Sequence, residues 1–176
     1  MVVINIVIAI QLDAISRAGG DKQKTMSANS RLTLAVHTLT WLARFRDQYE
    51  FATSERISVS VNTNPVILRG LLGMMEKHHL VNVQHGSNAG WQIAREPEEI
   101  TLLDVYRAVK PDTLFALHHT QPNQQCVIGC GISNTLEHVY ANAQDALDQE
   151  LARTTIADIL RETLTFSSAL QRASAN

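Results

Sequence analysis

Cysteine, aromatic residues and net charge are all scarce in this 176-residue sequence. Two cysteines are too few for a disulfide scaffold, so we expect a reducing, cytoplasmic environment. Only 5% of the residues are aromatic whereas 45% are hydrophobic, and long segments are rich in Ala, Leu and Glu. This composition predicts a mainly helical protein that forms one domain, or one small domain with an oligomerisation appendage.

Apolar runs long enough to cross a membrane are also absent from the sequence. Residues 2–10 form a strongly apolar run of nine residues, whereas a bilayer span needs about twenty. The run has neither a basic leader nor a small-residue cleavage site, as a secretory signal would. We therefore expect residues 1–25 to be a disordered extension and predict no membrane partner; a membrane-touching anchor or an added strand is the alternative.

The sequence contains no nucleophile elbow, phosphate-binding glycine loop or paired carboxylates that would indicate an enzyme. Its acidic residues at Glu98, Glu99 and Asp104 suit the start and the surface of a helix. We therefore predict that the chain is not an enzyme.

Charge is distributed unevenly, although the net charge of the whole chain is only −2. Residues 26–95 contain seven Lys and Arg against four acids, a net of +3, and residues 96–176 contain five against eleven, a net of −6. A polyanion such as DNA is thus expected to bind the first half.

Residues 52–95 have the pattern of a winged helix-turn-helix. A short helix over residues 52–61, a turn at Asn62 and Thr63, and a second helix over residues 66–79 are predicted, because Asn64 is a good N-cap and Pro65 suits the first helical position. Alternating strands at residues 81–84 and 91–94 flank a turn-like segment, residues 85–90. Such a module places its second helix in a DNA groove.

Residues at the start of the second helix are expected to reach base edges, and the wing is expected to reach the backbone or the minor groove. Asn can read adenine and Arg can read guanine through paired hydrogen bonds. The alternatives are that Asn64 only caps the helix, that Arg69 only meets a phosphate, and that residues 85–90 are a solvated turn. The predicted DNA-binding residues are Arg31, Thr63, Asn64, Val66, Ile67, Arg69, His85, Ser87 and Asn88.

Three further helices are predicted around this module. The first covers residues 27–46 with Ser30 as its N-cap, and the second covers residues 97–109 and starts at Pro97. The third is an unbroken helix over residues 134–164, about 45 Å long, which a small domain cannot cover. We therefore expect a homodimer; the alternative is that this helix folds back on its own domain. Residues 165–176 are predicted to be a fraying tail.

Together these segments resemble the Rrf-two (Rrf2) family of bacterial transcription regulators. The similarity is carried by residues 30–37, 64–66, 80–81, 89–94 and, most specifically, 98–109. The resemblance implies a winged helix-turn-helix at residues 26–96, followed by a sensor loop and a long dimerisation helix at residues 97–165 and a tail at residues 166–176. It also implies dimers whose long helices cross and whose winged domains read a pseudo-palindrome.

The cysteines depart from the cluster-binding members of that family, which have three cysteines before the long helix. This chain has Cys126 and Cys130 only, so no iron–sulfur cofactor is expected. Residues 114–119 and 126–129 resemble the cluster-free, YwnA-like branch, and the two cysteines are candidate redox sensors. A reversible disulfide, a zinc site with His118 and His119, and plain buried thiols are the alternatives for this pair.

The sequence thus predicts a sequence-specific DNA-binding regulator, a homodimeric repressor that responds to thiol oxidation. The alternative function is a metal- or redox-binding interaction protein whose winged domain contacts protein rather than DNA. The weakly charged wing and the overall acidity are the features that favour this alternative.

Overall fold

A computed structural model describes residues 28–109 and 114–174 of the chain. The mainly helical architecture with one small hairpin is confirmed. The predicted N-terminal extension, residues 1–25, lies outside the described residues. In chain order the elements are α1 (Ala28–Phe45), α2 (Ser54–Val61), α3 (Pro65–Lys77), β1 (Val81–Gln84), β2 (Gly90–Ile93), a 3-10 helix (Pro97–Glu99), α4 (Leu102–Val109), α5 (Ile132–Leu151) and α6 (Ile156–Ser174).

Local capping sets the geometry of the helix-turn-helix. The Thr53 side chain caps α2 by accepting a hydrogen bond from the Arg56 N–H. The helix ends at Asn62, whose left-handed conformation (φ 49°) turns the chain. Asn64 Oδ1 then accepts from the Val66 N–H at 2.8 Å, and Pro65 occupies the first position of α3. The predicted turn and the predicted N-cap of α3 are confirmed.

The wing is an antiparallel hairpin in which Val81 pairs with Ile93 and Gln84 with Gly90. Its second strand also bonds to the residue before α2, since Ala52 and Trp91 exchange backbone hydrogen bonds of 2.9 Å in both directions. A Cβ on Gly90 would lie 2.9 Å from Phe51 Cβ. Glycine is therefore required where the strand passes this segment.

The core is a single cluster of buried apolar side chains around α1. Leu39 of α1 is fully buried, and among the described elements the other α-helices except α5, together with both strands, contribute to or pack against the cluster. Its fully buried large members are Leu39, Ile57, Leu68, Leu72, Met75, Leu80, Val81, Ile100, Val105, Val109 and Ile156.

The structure corrects two predicted helix starts. Ser30 is not an N-cap, because α1 already includes Ala28. The predicted single helix over residues 97–109 is divided: Pro97–Glu99 form a 3-10 helix, Ile100 is extended and buried, and α4 starts at Leu102. Thr101 and Asp104 cap α4 reciprocally, with the Asp104 N–H donating to Thr101 Oγ1 at 3.1 Å and the Thr101 N–H to Asp104 Oδ2 at 3.0 Å.

The prediction of an unbroken helix over residues 134–164 is also wrong. It divides into α5 and α6, and the 20 residues of α5 correspond to about 30 Å. The break bonds to the start of α4, since the Leu102 N–H donates to the Thr154 carbonyl and the Ile156 N–H to the Ile100 carbonyl, both at 2.9 Å.

After this break, α6 packs back against α1 and contributes Ile156 to the core. The alternative of a helix that folds back on its own domain therefore holds for this second half. The prediction of a fraying tail is wrong for residues 165–174, because α6 continues to Ser174. The division of the chain at residue 96 remains a prediction.

Among the helices that the structure describes, none is both long enough and apolar enough to span a bilayer.

Candidate nucleic-acid interface

The start of α3 projects several of the predicted DNA-binding residues from the surface. Asn64 is exposed, Thr63 is half-buried, and Val66 and Ile67 are 64% and 46% exposed. The opposite side of the helix is buried in the core through Leu68, Leu71, Leu72 and Met75. These four residues fix the helix in the domain, so its exposed side has a defined orientation.

Arg69 does not project freely with these residues. Its Nη1 donates to Ser54 Oγ and to Glu55 Oε1, both at 2.9 Å, and therefore joins α3 to the first turn of α2. The pKa of Glu55 lies below its ordinary value because its own backbone N–H, the Ser54 hydroxyl and Arg69 stabilise the carboxylate. A role in reading guanine remains a prediction, and it would require Arg69 to exchange these bonds for base contacts.

Other basic residues lie on α1, α2 and α3. Arg31 is half-buried in α1, and Lys77 is exposed in the last turn of α3. The exposed Arg56, in the first turn of α2, has its guanidinium carbon 4.3 Å from the centre of the Tyr49 ring. Sequence reasoning did not select Arg56 or Lys77, although the helical spacing from Thr53 and from Val66 could have identified them as exposed cations of α2 and of the recognition helix.

The wing tip carries polar groups but no permanent cation. Gly86 has a φ of 99°, and its carbonyl accepts from the Ala89 N–H at 3.1 Å, which closes the turn. His85, Ser87 and Asn88 are all exposed on this turn. Its contribution to phosphate binding through charge is therefore small at neutral pH.

The two cysteines lie in a compact turn immediately before α5. Both are exposed and unpaired, so the alternative of plain buried thiols is wrong. The Cys130 N–H donates to the Cys126 carbonyl at 2.9 Å, as in one turn of helix, and the Cys130 thiol donates to the Val127 carbonyl at 3.3 Å. Hydrogen bonds from the backbone amides of Gly129 and Ile128 lower the pKa of the Cys126 thiol.

Metal ligands do not converge in the part of the chain that the structure describes. No group of three or more His, Cys, Asp or Glu residues there is arranged to hold a metal ion, so His118 and His119 do not complete a site with Cys126 and Cys130. An iron–sulfur cluster usually requires four thiolates. The two exposed thiols of this chain do not fit such a cluster.

Known proteins similar to this chain are regulators. Residues 28–162 match the Rrf2 family, described as iron-dependent transcriptional regulators. YwnA of Bacillus subtilis, a candidate HTH-type transcriptional regulator by name, is 37% identical over 133 residues, which cover 75% of this chain and 96% of YwnA.

Two crystal structures support the same architecture. A candidate DNA-binding protein is 30% identical, with a TM-score of 0.59 over 74% of this chain and 99% of that protein. A candidate transcriptional regulator from Lactobacillus plantarum is 24% identical and shares the fold, with a TM-score of 0.67 over 82% of this chain and 97% of the other.

Proposed function

The chain belongs to the Rrf2 family of DNA-binding transcriptional regulators, and we propose that it is a homodimeric repressor of a pseudo-palindromic operator that responds to thiol oxidation. The observation that carries the proposal is the fixed, outward start of α3, where Asn64, Val66 and Ile67 are exposed. Since the family consists of transcriptional regulators, the chain is not an enzyme. A winged domain that contacts only protein is set aside for the same reason. DNA and reduced thiols are both found in the cytoplasm, where we place its action.

The uncovered side of α5 supports a dimer. No residue of this helix is buried, and Val139 is 53% exposed. Leu136, Tyr140, Ala143 and Leu147 are only half-buried, although their spacing puts them on one face. A second copy of α5 packed on this face would remove apolar surface from water and would place two winged domains on one duplex.

The dimer is tested by placing a carboxylate on this face. Val139→Glu should shift the protein to the monomer in sedimentation velocity and abolish tight operator binding, because an unpaired charge would be buried between the helices. The matched control is Ala141→Glu, on the exposed opposite side of α5, which should remain dimeric. A dimeric Val139→Glu variant would contradict this interface.

The operator is tested by selection of duplexes from a random pool, followed by footprinting. We expect two related half-sites one helical turn, or a multiple of it, apart. Transcription in vitro from a promoter overlapped by the selected site should fall as protein is added. Absence of a preferred sequence would contradict sequence-specific binding, and increased transcription would contradict repression.

The thiol turn supports an oxidant response. In the proposed chemistry the Cys126 thiolate attacks a hydroperoxide, the O–O bond breaks, and a sulfenic acid and an alcohol form. The Cys130 thiol then attacks that sulfur, releasing water and forming a disulfide. Residues four apart on a helical turn have Cβ atoms about 5–6 Å apart, whereas a disulfide needs about 3.5–4.5 Å. Disulfide formation would therefore distort the turn that leads into α5.

Cysteine variants separate the role of Cys126, which attacks the hydroperoxide, from that of Cys130, which forms the disulfide. With hydroperoxide, the wild type should lose the mass of two hydrogen atoms per chain and bind the operator more weakly, and reductant should reverse both effects. Cys130→Ser should stop at the sulfenic acid, and Cys126→Ser should not respond. An equal response by the double Cys→Ser variant would contradict this mechanism while leaving DNA binding intact.

A further inference from the structure

The side of α3 that faces away from the core has an unusual composition. The buried residues Leu68, Leu71, Leu72 and Met75 define one side of the helix. At 100° per residue the opposite side contains Val66, Gly70, Gly73 and Lys77, flanked on one edge by Ile67 and Met74. These six residues form the outward face of α3.

Hydrogen-bonding side chains are almost absent from the outward face. Lys77, at its far end, is the only polar member, whereas Val66, Ile67 and Met74 are 64%, 46% and 38% exposed. In the major groove, an exposed aliphatic side chain can gain contact with the C5-methyl group of thymine. The chemistry of this face therefore favours apolar over hydrogen-bonded base contacts.

The two glycines are not explained by packing inside the domain. A Cβ on Gly70 or on Gly73 would meet no atom within 4 Å. Glycine is a poorer helix former than any residue except proline, so alanine at either position would suit the folded chain better. A bare backbone does, however, let the helix lie closer to base edges in the groove.

Arg69 and Asn64, the two residues able to make paired base contacts, have other partners. Arg69 lies on the α2 side of the helix and bonds to Ser54 and Glu55. Asn64 Oδ1 caps the Val66 N–H. Neither side chain is arranged for the paired base contact that its type could make, which leaves the apolar residues as the principal groups presented to DNA.

We infer that α3 distinguishes its half-site mainly through thymine methyl groups, which Val66 and Ile67 contact, and that Gly70 and Gly73 permit the close approach this contact needs. The inference rests on DNA binding by α3 and adds the class of base that it reads. It assigns Gly70 and Gly73 to the interface as residues that act by lacking a side chain.

The direct test replaces thymine by uracil, which lacks only the methyl group, at single positions of the duplex selected from the random pool. Wild-type affinity should fall about fourfold for each contacted methyl. In the Val66→Ala/Ile67→Ala variant the affinity for the thymine duplex should be lower, and the uracil effect should disappear. The matched control Val59→Ala, an exposed valine on α2, should keep the full uracil effect.

A second test uses the glycine positions. Gly70→Ala should raise the Tm, because alanine favours the helix and has open space there, and should lower affinity for the selected duplex. The higher Tm shows that the variant is folded. Unchanged affinity with a raised Tm would overturn the role assigned to Gly70.

The outcomes separate the inference from the proposed function. If selection yields no preferred duplex, sequence-specific binding itself fails. If a preferred duplex is bound but uracil substitution has no effect, or has the same effect on the Val66→Ala/Ile67→Ala variant, the thymine inference is overturned while sequence-specific binding stands.

Discussion

At the scale of single residues, the partner of Arg69 matters more than its residue type. Its guanidinium joins Ser54 and Glu55 of α2 instead of projecting with Val66. We interpret Arg69 as a positioning residue that holds the two helices of the DNA-binding module at a fixed angle. It would then contribute to affinity for any duplex rather than to the choice of base.

We predict that Arg69→Ala lowers the free energy of unfolding by no more than about 1 kcal/mol, since the ion pair is exposed. Its affinity for the selected duplex and for a scrambled duplex should fall by the same factor. Denaturant unfolding and fluorescence titrations measure both quantities, with Arg69→Lys as the charge-preserving control. A loss confined to the selected duplex, worth about 1–3 kcal/mol, would instead identify a guanine-reading arginine.

Asp158 is the residue whose titration should be visible in stability. Hydrogen bonds from the Thr155 hydroxyl and backbone N–H, together with Arg161, lower the pKa of Asp158 from 3.8 to about 2. Because the folded-state pKa is lowered, the stabilisation is complete above the unfolded value of 3.8 and is lost as pH falls towards about 2. Asp158→Asn should therefore be less stable than the wild type at about pH 5, and the difference should shrink on acidification. Thermal unfolding of both proteins, measured from about pH 5 down towards pH 2, tests this prediction. A difference in Tm between wild type and variant that stays constant with pH would contradict it.

At the scale of elements, two matching caps produce the break between α5 and α6. Thr101 and Asp104 cap α4, and Thr155 and Asp158 cap α6 with the same reciprocal bonds. The two caps lie side by side, because residues 101 and 155 form an isolated antiparallel bridge. Each helix start thus satisfies the backbone groups of the other.

Removal of one cap tests its contribution. Thr155→Ala should lower the free energy of unfolding by about 1 kcal/mol, since a backbone donor at the start of α6 loses its acceptor. Thr165→Ala, at an exposed position inside the same helix whose hydroxyl bonds only to the Arg161 carbonyl, should have a much smaller effect. Equal losses in urea unfolding would show that the cap is not the source of the stabilisation.

At the scale of the whole molecule, charge is divided unevenly between the two halves of the chain. Residues 26–95 carry a net charge of +3 and include the recognition helix, whereas residues 96–176 carry −6 and include α5 and α6. The acidic half should keep DNA on the side of the winged domain. The wing tip, which has no Lys or Arg among residues 85–90, adds little to this attraction.

A cation added to the wing should therefore be measurable. Ser87→Lys is expected to strengthen binding to any duplex and to steepen the slope of log affinity against log salt by about 0.9 for each new phosphate contact, or about twice that for a dimer. Filter binding at several salt concentrations measures the slope, with Ser87→Gln as the uncharged control. An unchanged slope would show that the wing tip does not reach the backbone.

Local signals in the sequence determined the helix-turn-helix and the wing. The N-cap at Asn64, the proline after it and the buried spacing of Leu68, Leu71, Leu72 and Met75 all depend on residues within a few turns of each other. The turn at residues 85–90 is local in the same sense. These features were predictable because their caps, turns and apolar spacing are local signals, although in the folded chain the wing also bonds to Ala52 and α3 packs on the common core.

Contacts between distant residues decided the rest. The apolar stripe over residues 134–164 has no glycine or proline, and its division at Thr155 depends on backbone bonds to Ile100 and Leu102. Arg69 is bound by residues 14 and 15 positions earlier in the chain, and the open space around Gly70 is visible only once α3 is packed on the core. The sequence alone thus determined which segments form the DNA-binding module, while tertiary packing decided which of its side chains face outward, because a side chain is available to DNA only where the folded chain leaves it without a nearer partner.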